Sequence, residues 1–518
     1  MEEQNTTEEE NKIIASLFEQ PTKAFATHLN IDGNKRILFS GSYGSGKTTF
    51  LNHFFKSQGV IEKYEFIHLF PVNYSVAVNE DIFRFIKFDI IYSLLLKKVY
   101  LSEDEIPMSL VAYFYFMNKT PELISFLVSL ASEKGKVATT VTDKATELFN
   151  GLTEYNKAIN KKSMKEVEAY MQEIIQKEGS IYEDNASTQL INQMLDHLKS
   201  ETAIQTNGEK KFEKQLVLII DDLDRIDPHH IFRLFNVFAS HFDNRFNEKS
   251  NKFGFDKVIF VCDINNIRNI FHSNYGTGTD FSGYIDKFYT YNIFYFDNSE
   301  SIIKVLEKVI LDEMDLVGDI KGFPAFVSNH RTLYQSINLC LGDIVLERKI
   351  NLRTLFKFRG KTLQITNKEL QYAKGRKINI WQIEILLVID VLAQIFGDLD
   401  KLEAVLAGFK NIEEGDYGDR SEIAANALIL LTCNKHNFER SKDGLSEIES
   451  EKWTFALPEA NLLYRFTLNE EMRSRIFYGE ISKIKSIDGS LNPKEPHFLY
   501  LIYKCVSYLR SIHYLKNS

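Results

Sequence analysis

The stretch RILFSGSYGSGKTTF, Arg36–Phe50, runs from apolar residues straight into three glycines, a lysine and two threonines. Arg36–Ser40 reads as a strand, and TTFLNHFFKS reads as an amphipathic helix whose first residues are Lys47–Thr49. Between them, Gly41 to Thr48 fits the spacing GxxxxGK[ST]. Glycines let such a loop wrap tightly enough to turn its N–H groups inward. The positive end of the following helix faces the same point. A loop of this build suits phosphate oxygens. Gly41, Ser42, Tyr43, Gly44, Ser45, Gly46, Lys47, Thr48 and Thr49 are therefore the candidate nucleotide-binding residues. Lys47 is expected on the β/γ-phosphates and the Thr48 hydroxyl on Mg²⁺. A glycine-rich turn with no ligand is the alternative. The strand before it and the helix after it favour phosphate.

A second stretch supplies what that loop lacks. LVLIIDDLDRID, Leu216–Asp227, is an apolar strand ending in a burst of carboxylates. In phosphoryl-transfer sites built on a phosphate loop, an acid at the tip of a second strand holds Mg²⁺. Asp221 has that position. Asp222 follows it as the candidate general base for the attacking water. Asp224 and Arg225 read as a local ion pair fixing the turn, with Arg225 alternatively touching a neighbouring subunit's nucleotide. Pro228 then opens a helix.

Two further segments, KVIFVCDINNI (Lys257–Ile267) and YIDKFYTYNIFYF (Tyr284–Phe296), follow in the chain. Together with LIIDDLDRIDP, these resemble the KAP family of P-loop NTPases over roughly residues 20–360. The resemblance implies an additional-strand ATPase core related to the AAA+ and STAND groups, with ATP and Mg²⁺ as cofactors. It implies side-by-side assembly into a homo-oligomer, with nucleotide at the subunit interface. Asp263 falls in the sensor position and contacts nucleotide. Lys287 falls where related proteins carry a positive finger that reaches a neighbour's γ-phosphate. Its plain alternative is a surface lysine paired with Asp286. A lid arginine is also implied, with Arg331 (in NHRTLY) the first candidate and Arg353 (in NLRTLF) the second.

The sequence departs from the family in one respect. Many members carry transmembrane helices between the first two motifs. Here the apolar runs Ile106–Met117 and Leu123–Ala131 are shorter than the about 20 residues a span needs. They read as two buried helices, and no membrane span is expected. The insertion around them, 101–212, reads as largely helical. The region from Ile378 onward also reads as helices, broken by a polar segment at Asn437–Trp453.

The expected fold is α/β: a P-loop NTPase core with a parallel sheet, a large helical insertion, and helical lid and C-terminal regions. The expected parts are 1–100 (an N-terminal helix and the first core segment), 101–212 (insertion) and 213–297 (second core segment). A lid with a basic segment, 298–380, and a helical region, 381–518, follow. The chain of 518 residues carries a net charge of -9, so it does not attract nucleic acid as a whole. Ten basic residues against one acid in 348–377 form a local exception, and nucleic acid is a possible partner there. The four cysteines are far apart, with no CxxC pair, and the acidic N-terminus is no signal peptide, which points to the cytoplasm. The resulting expectation is an ATPase that drives assembly or switching, set by the resemblance in bacterial anti-phage defence beside a partner effector protein. The alternatives are a nucleic-acid loader and a nucleotide-dependent scaffold with little hydrolysis.

Overall fold

The computed structural model describes residues 2–74, 82–97, 183, 186–201, 204–206, 209–212, 214–239, 251–306, 314–318, 331–350, 352–365, 368–372, 376–414, 417–432, 453–470, 477–490, 494–512 and 514. The apolar runs Ile106–Met117 and Leu123–Ala131, and most of the expected insertion, lie outside these residues. Two compact units are present: Pro21–Asp297, and Asn298–Ser518 together with Met1–Gln20.

The first unit is an α/β fold around a five-stranded parallel sheet. Its strands are β1 (Arg36–Ser40), β2 (Tyr64–Leu69), β3 (Gln215–Ile220), β4 (Lys257–Cys262) and β5 (Phe294–Tyr295), in the spatial order β2-β3-β4-β1-β5. Strand β4 thus stands between the strand before the glycine loop and the strand before the acidic tip. Residues 217–220 of β3 and all of β4 are buried on both faces. This is why they read as unbroken apolar runs rather than as alternation.

Each face is covered by helices. On one side, α1 (Glu2–Leu29) and α2 (Lys47–Lys56) bring Phe25, Phe50 and Phe54 against Phe39, Phe294 and Phe296. Ring centroids lie 5.1 Å apart for Phe25–Phe39 and 4.9 Å for Phe50–Phe296, within the range of favourable aromatic pairing. On the other side, Leu38 joins a core built with α3 (Ile82–Leu96), α4 (Ala186–Glu201), α5 (Pro228–Ala239) and α6 (Ile264–Tyr275). Leu38 and Phe39 part to opposite faces as successive strand side chains must. A buried Lys–Glu–Lys bridge ties this side together. Glu183 accepts from Lys87 of α3 at 2.7 Å and from Lys252, ahead of β4, at 2.6 Å.

The second unit has a helical C-terminal region. It contains α7 (Arg331–Leu346), α8 (Glu384–Phe396), α9 (Leu399–Ala407), α10 (Ser421–Thr432) and α11 (Phe498–Ser511). Helix α8 buries Ile385 through Leu392 without a break, as a helix apolar on all sides does. Asp343 of α7 accepts a two-pronged pair from Arg420, at 2.7 and 2.6 Å. His497 caps α11 by accepting the Leu499 N–H on Nδ1, which leaves Nε2 as the donor to Asp343 at 3.3 Å.

One expectation is corrected here. The region beyond Ile378 is not all helix: β6 (Trp453–Leu457), β7 (Leu462–Phe466) and β8 (Ile481–Ser486) form a three-stranded antiparallel sheet. Strand β7 alternates buried and accessible positions, and the turn before it uses Asn461 at φ 57°, a conformation asparagine tolerates. Likewise, Ile204–Thr206 and Glu209–Phe212, at the end of the expected helical insertion, pair as antiparallel strands, whereas Ala186–Glu201 is helical as expected.

Candidate functional site

All five strands are parallel, so their C-terminal ends meet at one edge, where loops of open α/β sheets gather ligands. The glycine loop leaves β1 there. Gly41 N–H donates to Cys262 O at 3.1 Å, pinning the loop's start to β4. Gly44 and Gly46 have φ of 75° and 92°, a region closed to most side chains, and Gly46 is the residue that turns the chain into α2. At Gly41 the reason for glycine is space. A Cβ there would meet the Lys47 side chain at 3.1 Å and Phe296 Cβ at 3.3 Å. Lys47 is buried and folds back into its own loop, where Nζ donates to Gly41 O at 2.7 Å and Ser42 O at 3.2 Å. The ammonium is therefore held at the mouth of the loop.

The acidic tip of β3 lies against the start of α2. Thr48 Oγ1 donates to Asp221 Oδ2 at 2.7 Å, joining residues 173 positions apart. Asp221 is fully buried, and its Oδ1 accepts the Asp222 N–H at 2.7 Å. Asp222 itself sits in left-handed backbone, φ 54° and ψ 34°. Burial, and next the Asp221 carboxylate, push the Asp222 carboxyl up from its ordinary value, while Arg225 pulls the other way. Arg225 Nη1 donates to Asp222 Oδ2 at 2.9 Å, and its guanidinium lies 5.6 Å from the Tyr43 ring centroid in the glycine loop. The ion pair of this turn is therefore Arg225–Asp222, not Arg225–Asp224. Asp224 receives Asn266 Nδ2 instead, on its carboxylate at 3.2 Å and its carbonyl at 3.3 Å, which ties the turn to α6.

A residue with no signal in the sequence completes this group. His68 of β2 pairs in register with Ile219, one residue from the tip of β3. Its Nε2 lies 3.0 Å from Asp221 Oδ2, and its Nδ1 lies 3.2 Å from Asn52 Oδ1 of α2. Ile67 and Leu69 face the core on the other side, so alternation turns His68 toward α2. One histidine within YEFIHL looks like any strand histidine, and the neighbour that gives it meaning is more than 150 residues away.

The remaining candidates are distributed as follows. Thr49 is exposed on the first turn of α2. Asp263 caps α6 by accepting the Asn265 N–H at 2.9 Å, and the Ile264 N–H donates to Ser40 Oγ at 3.1 Å. Lys287 is exposed, its ammonium 4.3 Å from the Tyr284 ring centroid and 4.8 Å from that of Phe288. It stands at the opposite edge of the sheet from Lys47. Thr290, three residues on, pairs with Arg36 at the start of β1, whereas Phe296 pairs with Ser40 at its end. Those two ends are roughly 13 Å apart at strand rise. Arg331 opens α7 and Arg353 is exposed on the short helix Leu352–Phe356, both in the second unit.

The donor set suits a hard divalent cation: a carboxylate and a hydroxyl oxygen converge at hydrogen-bond distance. Among the described residues no cluster of three or more His, Cys, Asp or Glu is built to hold a metal alone. Mg²⁺ needs none, because it keeps waters and binds through one or two protein groups plus substrate phosphates. Among the described residues no helix is long and apolar enough to cross a membrane. No protein-family model and no curated protein matches this chain.

Proposed function

We propose that the chain is an ATPase of the KAP type, which binds ATP with Mg²⁺, hydrolyses it and uses the cycle to change assembly or shape. The observation that carries this is the 2.7 Å contact of Thr48 with Asp221, beside Lys47 buried in its glycine loop. Two segments far apart in sequence meet in the arrangement that phosphoryl transfer uses. The strand order, with β4 between β1 and β3, supports the additional-strand reading.

The chain's own groups divide the work. Gly44 and Gly46 open the loop so that backbone N–H groups point at phosphate oxygens. Lys47 neutralises charge on the β/γ side. Mg²⁺, when held by the Thr48 hydroxyl and Asp221, offsets the charge that develops on the phosphate oxygens. Asp222 takes the proton of the water that attacks the γ-phosphorus, as the bond to the β–γ bridging oxygen breaks and ADP leaves. Burial favours the base role, since it lifts the Asp222 carboxyl. Lys287, at the far edge of the sheet, serves the site of a neighbouring subunit. Anti-phage defence beside an effector protein remains the setting that the family resemblance supports.

Binding of ATP and its turnover by purified protein, with and without DNA or RNA, test the proposal. We expect Lys47→Ala to remove both. Intact binding and turnover in that variant would sink the ATPase reading. Strong stimulation by nucleic acid would favour a loader acting through 348–377, and tight binding without turnover a scaffold.

A further inference from the structure

We propose that His68 is a positioning residue for the cation site, holding the Asp221 carboxylate in the orientation that receives a divalent metal bound to nucleotide phosphates. The inference rests on the ATP·Mg²⁺ reading above and adds a residue to it. Three donors reach Asp221. Thr48 Oγ1 and His68 Nε2 both point at Oδ2, at 2.7 and 3.0 Å, and the Asp222 N–H takes Oδ1 at 2.7 Å. Their fates on metal binding differ. The Thr48 hydroxyl is itself a ligand candidate and must turn a lone pair toward the cation. The Asp222 N–H is backbone and stays. His68 is then the side chain that continues to fix Oδ2 while the hydroxyl turns away.

The ring is built to do this. Its side chain is 7 % exposed. It stacks on Phe70 with centroids 4.4 Å apart. Its second nitrogen is engaged by Asn52, one helical turn beyond Thr48 on α2. The carboxylate can only accept, so Nε2 carries a proton, and the neutral ring then accepts at Nδ1 with the Asn52 amide turned to present Nδ2 in place of Oδ1. The imidazole therefore spans the helix that carries Thr48 and the strand that carries Asp221, and sets the spacing of the two oxygen ligands. Partners of this kind orient metal-binding carboxylates, and removing them typically weakens metal binding by about 10- to 100-fold.

The test uses the full chain with ADP bound and Mn²⁺ as the probe, free Mn²⁺ being read by electron paramagnetic resonance. His68→Phe keeps a flat ring to stack on Phe70 and removes both polar contacts. His68→Gln keeps an N–H near the position of Nε2. We expect His68→Phe to raise half-saturating Mn²⁺ by about 10- to 100-fold and His68→Gln to stay within about threefold of wild type. ADP binding in EDTA should be equal in all three. Wild-type Mn²⁺ dependence in His68→Phe overturns the inference, and so does a loss in His68→Gln as large as in His68→Phe. If His68→Phe does not fold, Asn52→Ala carries the test. It frees the ring's other end and should cost roughly three- to tenfold in Mn²⁺ affinity, and no change there overturns the inference equally. The underlying reading fails separately: wild type that binds no ADP, or Lys47→Ala that binds it as wild type does, removes the ATP site and this role with it.

Discussion

Asp222 combines an unusual backbone with an unusual set of neighbours. Among the described residues it is one of four non-glycine residues with positive φ, and aspartate is among the residue types that tolerate this best. Its carboxylate accepts from Arg225, yet burial and the Asp221 charge still lift its carboxyl. Asp222→Asn is nearly the same size, tolerates the same φ, and cannot accept a proton. The variant should fold and bind ATP as wild type does, while turnover falls by about 10²- to 10⁴-fold, the usual weight of a general base. Loss of the exposed Arg225 contact adds about 0–1 kcal/mol at most, so thermal melting should barely move. Single-turnover kinetics with bound ATP give the answer, and a normal rate would remove Asp222 from the base role. At this scale the sequence marks Lys47, Thr48, Asp221 and Asp222 as candidates, because glycine spacing and a carboxylate burst are local signals. It did not show His68 or Asn52, whose meaning lies in contacts between separate elements.

The elements that were legible are those whose environment imposes one simple pattern. Strands β1 and β3 lie inside a parallel sheet, so burial on both faces writes them as short apolar runs. Strand β4 is equally buried, but its place in the core, like that of the two-residue β5, is an expectation of the family resemblance carried by KVIFVCDINNI and YIDKFYTYNIFYF. The C-terminal sheet was missed because β6 to β8 are short, half-exposed strands set among strongly apolar helices such as α8. Pairing order was never legible, since it depends on which distant runs meet. Within the second unit, Asp343 is the joint among α7, the turn before α10, and α11. Burial alone would raise its carboxyl, but hydrogen bonds from His497 and Arg420 and the charge of Arg420 hold it below its ordinary value. A carboxyl held below its unfolded pKa, about 3.9, contributes its full stability above that pH and loses it as pH falls through the folded value. We therefore expect wild type to lose stability as pH drops below about 4, and Asp343→Asn to lose the part due to this joint. At neutral pH, Asp343→Asn should cost about 1–3 kcal/mol, because the two-pronged charged pair with Arg420 is reduced to a single neutral acceptor. Denaturant midpoints at pH 7 and pH 3.5 for both proteins provide the check. An equal gap between them at the two pH values would show that the joint does not titrate as described.

At the scale of the whole molecule, the proposed cycle depends on where charge stands relative to the parallel sheet. Lys47 lies at the C-terminal edge and Lys287 at the N-terminal edge, with the length of β1 between them. On the proposed reading, the length of β1 separates the Lys287 ammonium from the glycine loop of its own chain. Its proposed target is the phosphates of a neighbouring copy, docked with its C-terminal edge against this chain's N-terminal edge. Such a contact is head-to-tail, the kind that closes into rings. The Lys287 ammonium already lies over two aromatic rings at an exposed corner, an arrangement that fixes the side chain without burying the charge. Lys287→Ala should therefore leave ATP binding intact and lower turnover by about 10²-fold or more, as loss of a transition-state cation does. Mixing makes the prediction specific to action across an interface. Lys47→Ala subunits bind no ATP but still carry Lys287, and Lys287→Ala subunits bind ATP but lack the finger. Each is expected to be inactive alone. Mixed in equal amounts and allowed to exchange, roughly a quarter of head-to-tail interfaces pair an intact ATP site with an intact Lys287. Turnover should return to about that fraction of wild type. Recovery would place Lys287 in the neighbour's site. Absence of recovery, with exchange verified by mass photometry of differently sized tags, would return Lys287 to the role of a surface cation resting on Tyr284 and Phe288.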